Sequence, residues 1–73
     1  MRDDIRAADK PIAAKYAGKD CTLDGHPARI CGERLRYAII ATIGLGNGPL
    51  YSVEYSWPTV ERVYESGGRF KSR

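Results

Sequence analysis

The sequence predicts a mostly β domain with a short helix: a small antiparallel barrel of four or five strands with a C-terminal helix over residues 58–66. Three observations predict this class. An Asp24-Gly25 pair between two short alternating segments is the strongest hairpin signal in the chain. Two more strand-like runs follow over residues 37–43 and 51–56. Beyond them, apolar residues recur at the spacing of a helix.

Length and composition limit the chain to one small folded domain. Its 73 residues are 42% apolar and 29% charged, a mixture typical of folded chains. A domain of this size buries only ~60% of the surface that its unfolded chain exposes, so both a monomer and a small homo-oligomer are compatible with it. The longest apolar run, over residues 38–43, is far shorter than the ~20 residues that cross a bilayer. No apolar segment follows Met1 as in a secretory leader, so we expect a cytoplasmic protein without a membrane partner.

The first ten residues are predicted to form a flexible charged arm, residues 1–10, ahead of a single barrel domain over residues 11–73. A short helix is expected where the two meet. Asp9 is a candidate N-cap, Pro11 suits the first helical turn, and Gly18 is a candidate residue for ending the helix. Because so short a helix is not stable alone, it must pack against the rest of the domain.

The first two strands are predicted over residues 19–23 and 26–31, joined by the Asp24-Gly25 turn. A two-residue turn fixes the register, with Leu23 opposite His26 and Cys21 opposite Ala28. One face then carries small apolar side chains and the other mainly polar ones. The first set is Cys21, Leu23, Ala28 and Ile30, and the second is Thr22, Pro27, Arg29 and Cys31. Pro27 has no N–H, which indicates that the second strand begins at a sheet edge.

The third and fourth strands differ in their patterns. Residues 37–43 are apolar on both faces, so this strand should be central or covered from both sides. Residues 51–56 alternate, which predicts a half-buried strand. The glycine-rich segment over residues 44–49 is predicted to be a mobile connection between the two.

The C-terminal part is predicted to be a helix followed by a short closing strand over residues 69–71. Ser56 is the candidate N-cap of this helix, and Gly67 ends it. Trp57 lies at helical spacing with Val60, Val63 and Tyr64. We therefore expect the Trp57 ring in the core.

The reactive side chains do not form a recognisable catalytic or metal-binding pattern. In the predicted hairpin Cys21 and Cys31 point to opposite faces, so we expect reduced thiols rather than a disulfide. His26, the only histidine, is five residues from Cys31 on one strand, and an odd spacing separates their faces too. Zinc sites usually need four ligands at closer, paired spacing. The sequence therefore predicts no catalytic residues, no metal and no cofactor.

The strand pattern, with its tight turns and a Trp-Pro turn near the end, resembles SH3-like small β-barrels. Within it, residues 17–71 are similar to small uncharacterised proteins of phages and prophages. The segments that carry this resemblance are Ala17-Gly18-Lys19, the run from Leu23 to Ile30, the run from Glu54 to Val60, and Gly67-Gly68-Arg69-Phe70. The resemblance implies an accessory protein of a phage or mobile element that acts in the host cytoplasm, and it assigns no functional residue.

A second resemblance implies an enzyme. The plasmid-borne type II dihydrofolate reductases are SH3-like barrels of this size with a disordered N-terminal arm, and a Val-Gln-Ile-Tyr segment on a late strand lines their active pore. The corresponding segment here is Val53-Glu54-Tyr55-Ser56, in which the Gln and Ile are replaced and the Tyr is displaced. This departure removes the residues that would hold nicotinamide and folate, so a reductase is the remote alternative.

Binding to a macromolecule is the function that the sequence favours. Its five tyrosines exceed what so small a core must hide, and Tyr and Arg are common interface hot spots. We expect a docking surface for a host protein or protein complex, with inhibition of a defence nuclease complex as one version. The candidate binding residues are Arg29, Arg34, Arg36, Tyr37, Asn47 and Tyr51. The alternative is a purely structural role, in which Tyr37, Tyr51 and Tyr55 fill the barrel.

Nucleic acid is the alternative partner. The candidate phosphate contacts are Arg29, Arg34, Arg36, Arg69, Lys71 and Arg73, with tyrosines or Phe70 as stacking surfaces. The net charge of +3 is spread evenly along the chain. Residues 1–20 carry five basic and four acidic groups, residues 21–50 three and two, and residues 51–73 four and three. Since the sequence shows no basic block, a protein partner is favoured.

Overall fold

The computed structural model describes residues 4–72, so the first three residues of the predicted arm and Arg73 lie outside the described part. The helices and strands are α1 (Lys10–Tyr16), β1 (Asp20–Leu23), β2 (His26–Cys31), β3 (Tyr37–Thr42), β4 (Ser52–Ser56), α2 (Trp57–Glu65) and β5 (Arg69–Phe70). A short 3₁₀ turn over Ala7–Asp9 precedes α1. The predicted strands and the C-terminal helix are all present, with ends that differ from the prediction by about one residue.

The five strands form one mixed sheet in the order β4-β3-β2-β1-β5. The neighbours from β1 to β4 are antiparallel, whereas β5 runs parallel to β1. The sheet curls into a half-barrel. The prediction of a fully antiparallel barrel needs correction on this point, because α2 carries the chain from β4 to the far edge of the sheet. There β5 enters in the same direction as β1.

The β1–β2 hairpin has the predicted register. Leu23 lies opposite His26, and Cys21 lies opposite Ala28. The two turn residues, Asp24 and Gly25, have φ angles of 54° and 84°. A two-residue hairpin turn of this type needs positive φ at both positions, which Gly adopts freely and Asp tolerates. The local Asp-Gly signal therefore fixes the pairing of the first two strands.

Pro27 does not lie at a sheet edge, and the prediction is wrong here. β2 lies between β1 and β3, and its pairing with β3 begins with Ala28 opposite Thr42. Just past the end of β3, the Pro27 carbonyl accepts a hydrogen bond from the Ile43 N–H at 2.9 Å. The sheet tolerates the proline because its missing N–H falls opposite Ile43, outside β3, where one hydrogen bond of the pair still forms.

The core fills the concave side of the sheet and the faces of both helices. Its buried residues are Ala13, Tyr16, Leu23, Ala28, Ile30, Ala38, Ile40, Trp57, Val60 and Phe70. Trp57 is fully buried, as predicted, and its indole N–H donates to the Leu35 carbonyl at 2.9 Å. The central position predicted for β3 is confirmed, since strands flank it on both sides. On its outer face Ile39 and Ala41 are only half-buried.

The two helices meet through a buried tyrosine. Tyr16 of α1 is almost fully buried, and its hydroxyl donates to Glu65 Oε2 of α2 at 2.5 Å. The hydrogen bond to this carboxylate, with burial as the second cause, raises the pKa of Tyr16. The ring of Tyr64 packs against the Tyr16 ring with 5.1 Å between centroids. A residue of α1 is thus fixed to a part of the chain 49 residues away.

The two predicted N-caps precede their helices, but neither side chain makes a capping hydrogen bond. The Ser56 hydroxyl pairs instead with the Thr59 hydroxyl at 2.7 Å. The described part of the predicted arm runs beside the β2–β3 turn, where the Ile5 N–H donates to the Arg34 carbonyl at 3.0 Å. The flexibility of residues 1–10 stays a prediction. Neither helix of the described part is long and apolar enough to span a bilayer.

Candidate functional site

β4 forms one edge of the sheet. β4 pairs with β3 on one side, and no strand within residues 4–72 pairs with its other side. The opposite edge strand, β5, is only two residues long. The half-barrel is therefore open between β4 and the segment that follows β5.

The register shows which backbone groups of β4 point outward. The Thr42 N–H donates to the Tyr51 carbonyl at 3.0 Å, so the backbone carbonyl of Tyr51 points toward β3. Because hydrogen-bonded pairs alternate in an antiparallel ladder, Val53 and Tyr55 also face β3. The N–H and C=O groups of Ser52 and Glu54 and the N–H of Ser56 consequently point away from the sheet, whereas the Ser56 carbonyl, at the N-cap of α2, accepts the first hydrogen bond of that helix. These three residues offer the pairing groups for one further strand.

A groove of about 740 Å³ follows this edge. Its lining residues are Tyr37, all residues from Tyr51 to Ser56, Thr59, Lys71 and Ser72, and together they define the β4 groove. One wall is the edge of β4, and the other is the C-terminal segment Lys71-Ser72. Aromatic and polar groups alternate along it, which suits an extended polypeptide better than a compact small molecule.

Tyr55 joins the two walls of the β4 groove. Its hydroxyl donates to the Lys71 carbonyl at 2.6 Å and accepts from the Lys71 N–H at 3.1 Å. Its ring meets Phe70 edge-on, with 5.0 Å between centroids. A tyrosine side chain therefore holds β4 to the C-terminal segment where a closed barrel would have strand-to-strand hydrogen bonds.

Asp24 fixes the C-terminal end of the groove. Its Oδ2 accepts from the Tyr51 hydroxyl at 2.8 Å and also from the Ser72 hydroxyl, and its Oδ1 accepts from the Ser72 N–H at 2.9 Å. These hydrogen bonds, led by the Ser72 hydroxyl, lower the pKa of Asp24. The same contact raises the pKa of Tyr51, with the hydrogen bond to Asp24 as the main cause. The β1–β2 turn, β4 and the chain end are thus held together by one carboxylate.

The structure brings three of the six predicted binding residues near the β4 groove. Tyr37 and Tyr51 line it, and Tyr37 is 46% exposed. Arg36 lies in a neighbouring hollow with Leu35, Tyr37 and Glu54. Tyr51 and Tyr55 are half-buried, which is compatible with the alternative that these tyrosines simply fill the barrel. Tyr37 is too exposed to fit that alternative.

The other three predicted residues lie elsewhere. Arg29 is exposed on β2, and its Nε donates to Asp20 Oδ1 at 3.0 Å. Arg34 lines a separate hollow between the N-terminal arm and α1. Asn47 is exposed in the β3–β4 connection. The six residues therefore do not form one surface.

Sequence reasoning did not select the edge groups of Ser52, Glu54 and Ser56, nor the exposed Leu45 and Leu50. The two leucines, 67% and 79% exposed, belong to the connection that leads into Tyr51. Alternation in residues 51–56 signals a strand but not whether a neighbour covers its outer side. An apolar residue in a loop, such as Leu50, is the one signal that was available.

The thiols and the histidine are apart from the β4 groove. Both cysteines are free; Cys21 is half-buried and Cys31 is exposed. Burial, with a smaller effect of the Asp20 charge, raises the pKa of Cys21 to about 11, which keeps its thiol protonated and unreactive at neutral pH. His26 is exposed at the start of β2. No cluster of three or more metal-ligating side chains occurs in the part of the chain that the structure describes.

Comparison with known proteins returns no relative: no family model, no curated protein and no solved structure matches the chain.

Proposed function

We propose that this chain is a non-enzymatic binding module, an SH3-like half-barrel that accepts an extended segment of a host protein along the edge of β4. The observation that carries the proposal is the set of outward backbone groups on Ser52, Glu54 and Ser56, which border the β4 groove. The resemblance to small phage proteins supports a partner in the host cytoplasm, where docking would block or redirect a protein complex.

An extended segment has a clear physical reason to bind there. Adding a strand to a sheet edge forms backbone hydrogen bonds that do not depend on the sequence of the segment, while alternate side chains give selectivity. The exposed face of Tyr37 and the ring of Tyr55 offer aromatic surface at low entropic cost. The segment would therefore pair with β4 and place alternate side chains on these rings.

The exposed leucines extend this surface. Leu50 directly precedes Tyr51 at one end of the β4 groove, and Leu45 lies in the same connection. Exposed apolar side chains mark an interaction site when they form a contiguous surface, and Leu50 adjoins the groove-lining Tyr51 in the chain. A segment longer than β4 would bury them as it leaves the groove.

The distribution of cations favours a protein over a nucleic acid. Arg29, Arg34 and Arg36 lie on different parts of the surface, and Arg29 already pairs with Asp20. The groove itself is lined by one acidic and one basic side chain, Glu54 and Lys71. A single basic track, which a phosphate backbone requires, is therefore not supported by these residues.

The test uses one substitution that removes an outward N–H. Short random peptides displayed on a carrier are selected on the purified protein, and the enriched peptides are measured by fluorescence anisotropy against Ser52→Pro and Ser52→Thr. Proline at an edge position removes a donor without breaking the ladder to β3, whereas threonine keeps the donor and suits a strand. We expect Ser52→Pro to weaken binding at least about fivefold, the effect of a hydrogen bond worth ~1 kcal/mol, and Ser52→Thr to bind like the wild type.

Thermal melting of both variants shows whether the fold is intact, and amide chemical shifts of residues 51–56 map the binding site independently of any substitution. Selected peptides that bind Ser52→Pro unchanged and shift other amides would overturn the proposal, as would a selection that enriches none. Oligonucleotide binding that falls steeply with salt and ignores Ser52→Pro would favour nucleic acid instead.

A further inference from the structure

We infer that Glu54 selects the occupant of the β4 groove: a segment that carries a Lys or Arg opposite Glu54 is accepted, and a second copy of this chain is rejected. The inference rests on the proposed function and adds the chemistry of the partner. It follows from where Glu54 stands on the edge and from which charges surround it.

Glu54 occupies the middle of the outward-facing groups. It lies opposite Ile39 in the β3–β4 register, with Ser52 and Ser56 on either side. Its side chain is exposed. Within residues 4–72 no cation lies at ion-pair distance from its carboxylate. Arg36 lines the adjoining hollow together with Glu54, and Lys71 lies on the opposite wall of the groove.

Pairing of two copies through this edge would place like charges together. If β4 pairs over its full length with the antiparallel β4 of a second copy, Ser52 faces Ser56, and Glu54 faces Glu54 on the two-fold axis. Directly opposed residues in an antiparallel pair have Cβ atoms ~5 Å apart, and like charges there are destabilising. A charged side chain at the centre of an edge strand is also a common protection against association of identical edges.

The same carboxylate attracts a foreign strand of the right charge. Whichever direction an added strand runs, one of its residues lies opposite Glu54, on the outer side of the sheet. A Lys or Arg at that position forms a cross-strand ion pair, which stabilises pairing modestly, whereas Asp or Glu opposes it. The serines on either side impose no charge, so among the edge residues of β4 only Glu54 discriminates by charge.

The experiment repeats the peptide selection on the wild type, Glu54→Gln and Glu54→Lys, with Glu61→Lys as the control. Glu61 is exposed on α2 and does not line the groove. We expect wild-type peptides to share one Lys or Arg position and Glu54→Lys peptides to share an acidic residue there. Replacing that Lys by Gln should weaken binding to the wild type about two- to fivefold. The same peptide pair should differ little on Glu54→Gln, and Glu61→Lys should behave like the wild type.

The outcomes separate this inference from the proposed function. Peptides whose binding is lost in Ser52→Pro but which show no charge preference at any position would overturn the inference and leave the proposed function in place. A wild-type dimer in sedimentation velocity that Ser52→Pro dissociates would also overturn it, because a second copy would then be the occupant. A selection without binders would remove both.

Discussion

The two sides of the half-barrel are closed in different ways. On the helical side, Trp57 and Tyr16 are buried, and each makes a hydrogen bond inside the packed interior or at its margin. On the β4 side, Tyr55 and Asp24 hold the chain end by hydrogen bonds that are exposed to solvent. Buried apolar area dominates stability, whereas a hydrogen bond at the surface exchanges with water and contributes little.

This difference assigns separate roles to the two sides. The large buried aromatic rings of Trp57 and Tyr16 lie on the helical side, whereas the β4 side carries the outward backbone groups that are proposed to meet a partner. Local stability in a small domain is uneven, and binding surfaces tend to lie in its less stable parts. Substitutions on the two sides should therefore differ in how they affect melting and binding.

The largest effect is expected for Trp57→Ala. The ring is fully buried, and its loss leaves a cavity and an unpaired Leu35 carbonyl. We expect the free energy of unfolding to fall by ~3–5 kcal/mol, measured by urea or thermal denaturation. Leu50→Ala, which truncates the most exposed leucine, is the control and should change it by ~0.5 kcal/mol or less. If Trp57→Ala melts like the wild type, the buried position of the ring is wrong.

A smaller effect is expected for Tyr16→Phe. This change removes the hydroxyl that donates to Glu65 and keeps the buried ring. Glu65 is exposed and can turn to water, so the expected loss is about 1 kcal/mol in the free energy of unfolding. Tyr64→Phe is the matched control, because its ring belongs to the same cluster and its hydroxyl has no partner among the described residues. Equal losses for the two variants would contradict a specific role of the Tyr16–Glu65 contact.

Acid should loosen the β4 side through Asp24. Its pKa is lower in the folded chain, so its contribution to stability is present above the pKa of the unfolded state and is lost as the pH falls through the folded-state pKa. Asp24→Asn keeps a residue that tolerates positive φ but has no charge to lose. We expect the wild type to be more stable than this variant at neutral pH and the difference to vanish in acid.

Urea titrations at several pH values measure this difference, and amide exchange of Ser72 reports the contact directly. Asp9→Asn is the control, because the Asp9 side chain makes no capping hydrogen bond. A difference between wild type and Asp24→Asn that stays constant with pH would show that the charge of Asp24 does not hold the chain end.

The same comparison shows what could be predicted from the sequence. The Asp24-Gly25 turn acts over a few residues, so it determines the pairing of Cys21 with Ala28 before any tertiary contact forms. Trp57 could be placed in the core because its helical spacing with Val60 leaves one apolar face to bury. Both depend on short-range patterns.

The open side could not be predicted, because it depends on where α2 returns the chain. A short final strand over residues 69–70 looks the same in sequence whether it closes a barrel beside β4 or runs parallel to β1. The prediction that Pro27 marks a sheet edge was wrong for a related reason. Whether its missing N–H disturbs the sheet depends on where β3 ends, which the residues of β2 do not show. The free edge of β4, and with it the position of Glu54, follows from this topology and not from the residues of β4.

The smallest change in stability is expected for Tyr37→Thr, which is the most direct test of the division between the two sides. Tyr37 is 46% exposed at the β4 groove, and threonine preserves strand propensity, so the free energy of unfolding should change by ~0.5 kcal/mol or less. Peptides that bind the edge of β4 should nevertheless lose roughly fivefold in affinity, because an aromatic contact surface is gone. Arg34→Ala, in the hollow beside α1, should change neither quantity. Equal effects of the two substitutions on peptide binding would mean that the predicted docking surface extends beyond the β4 side.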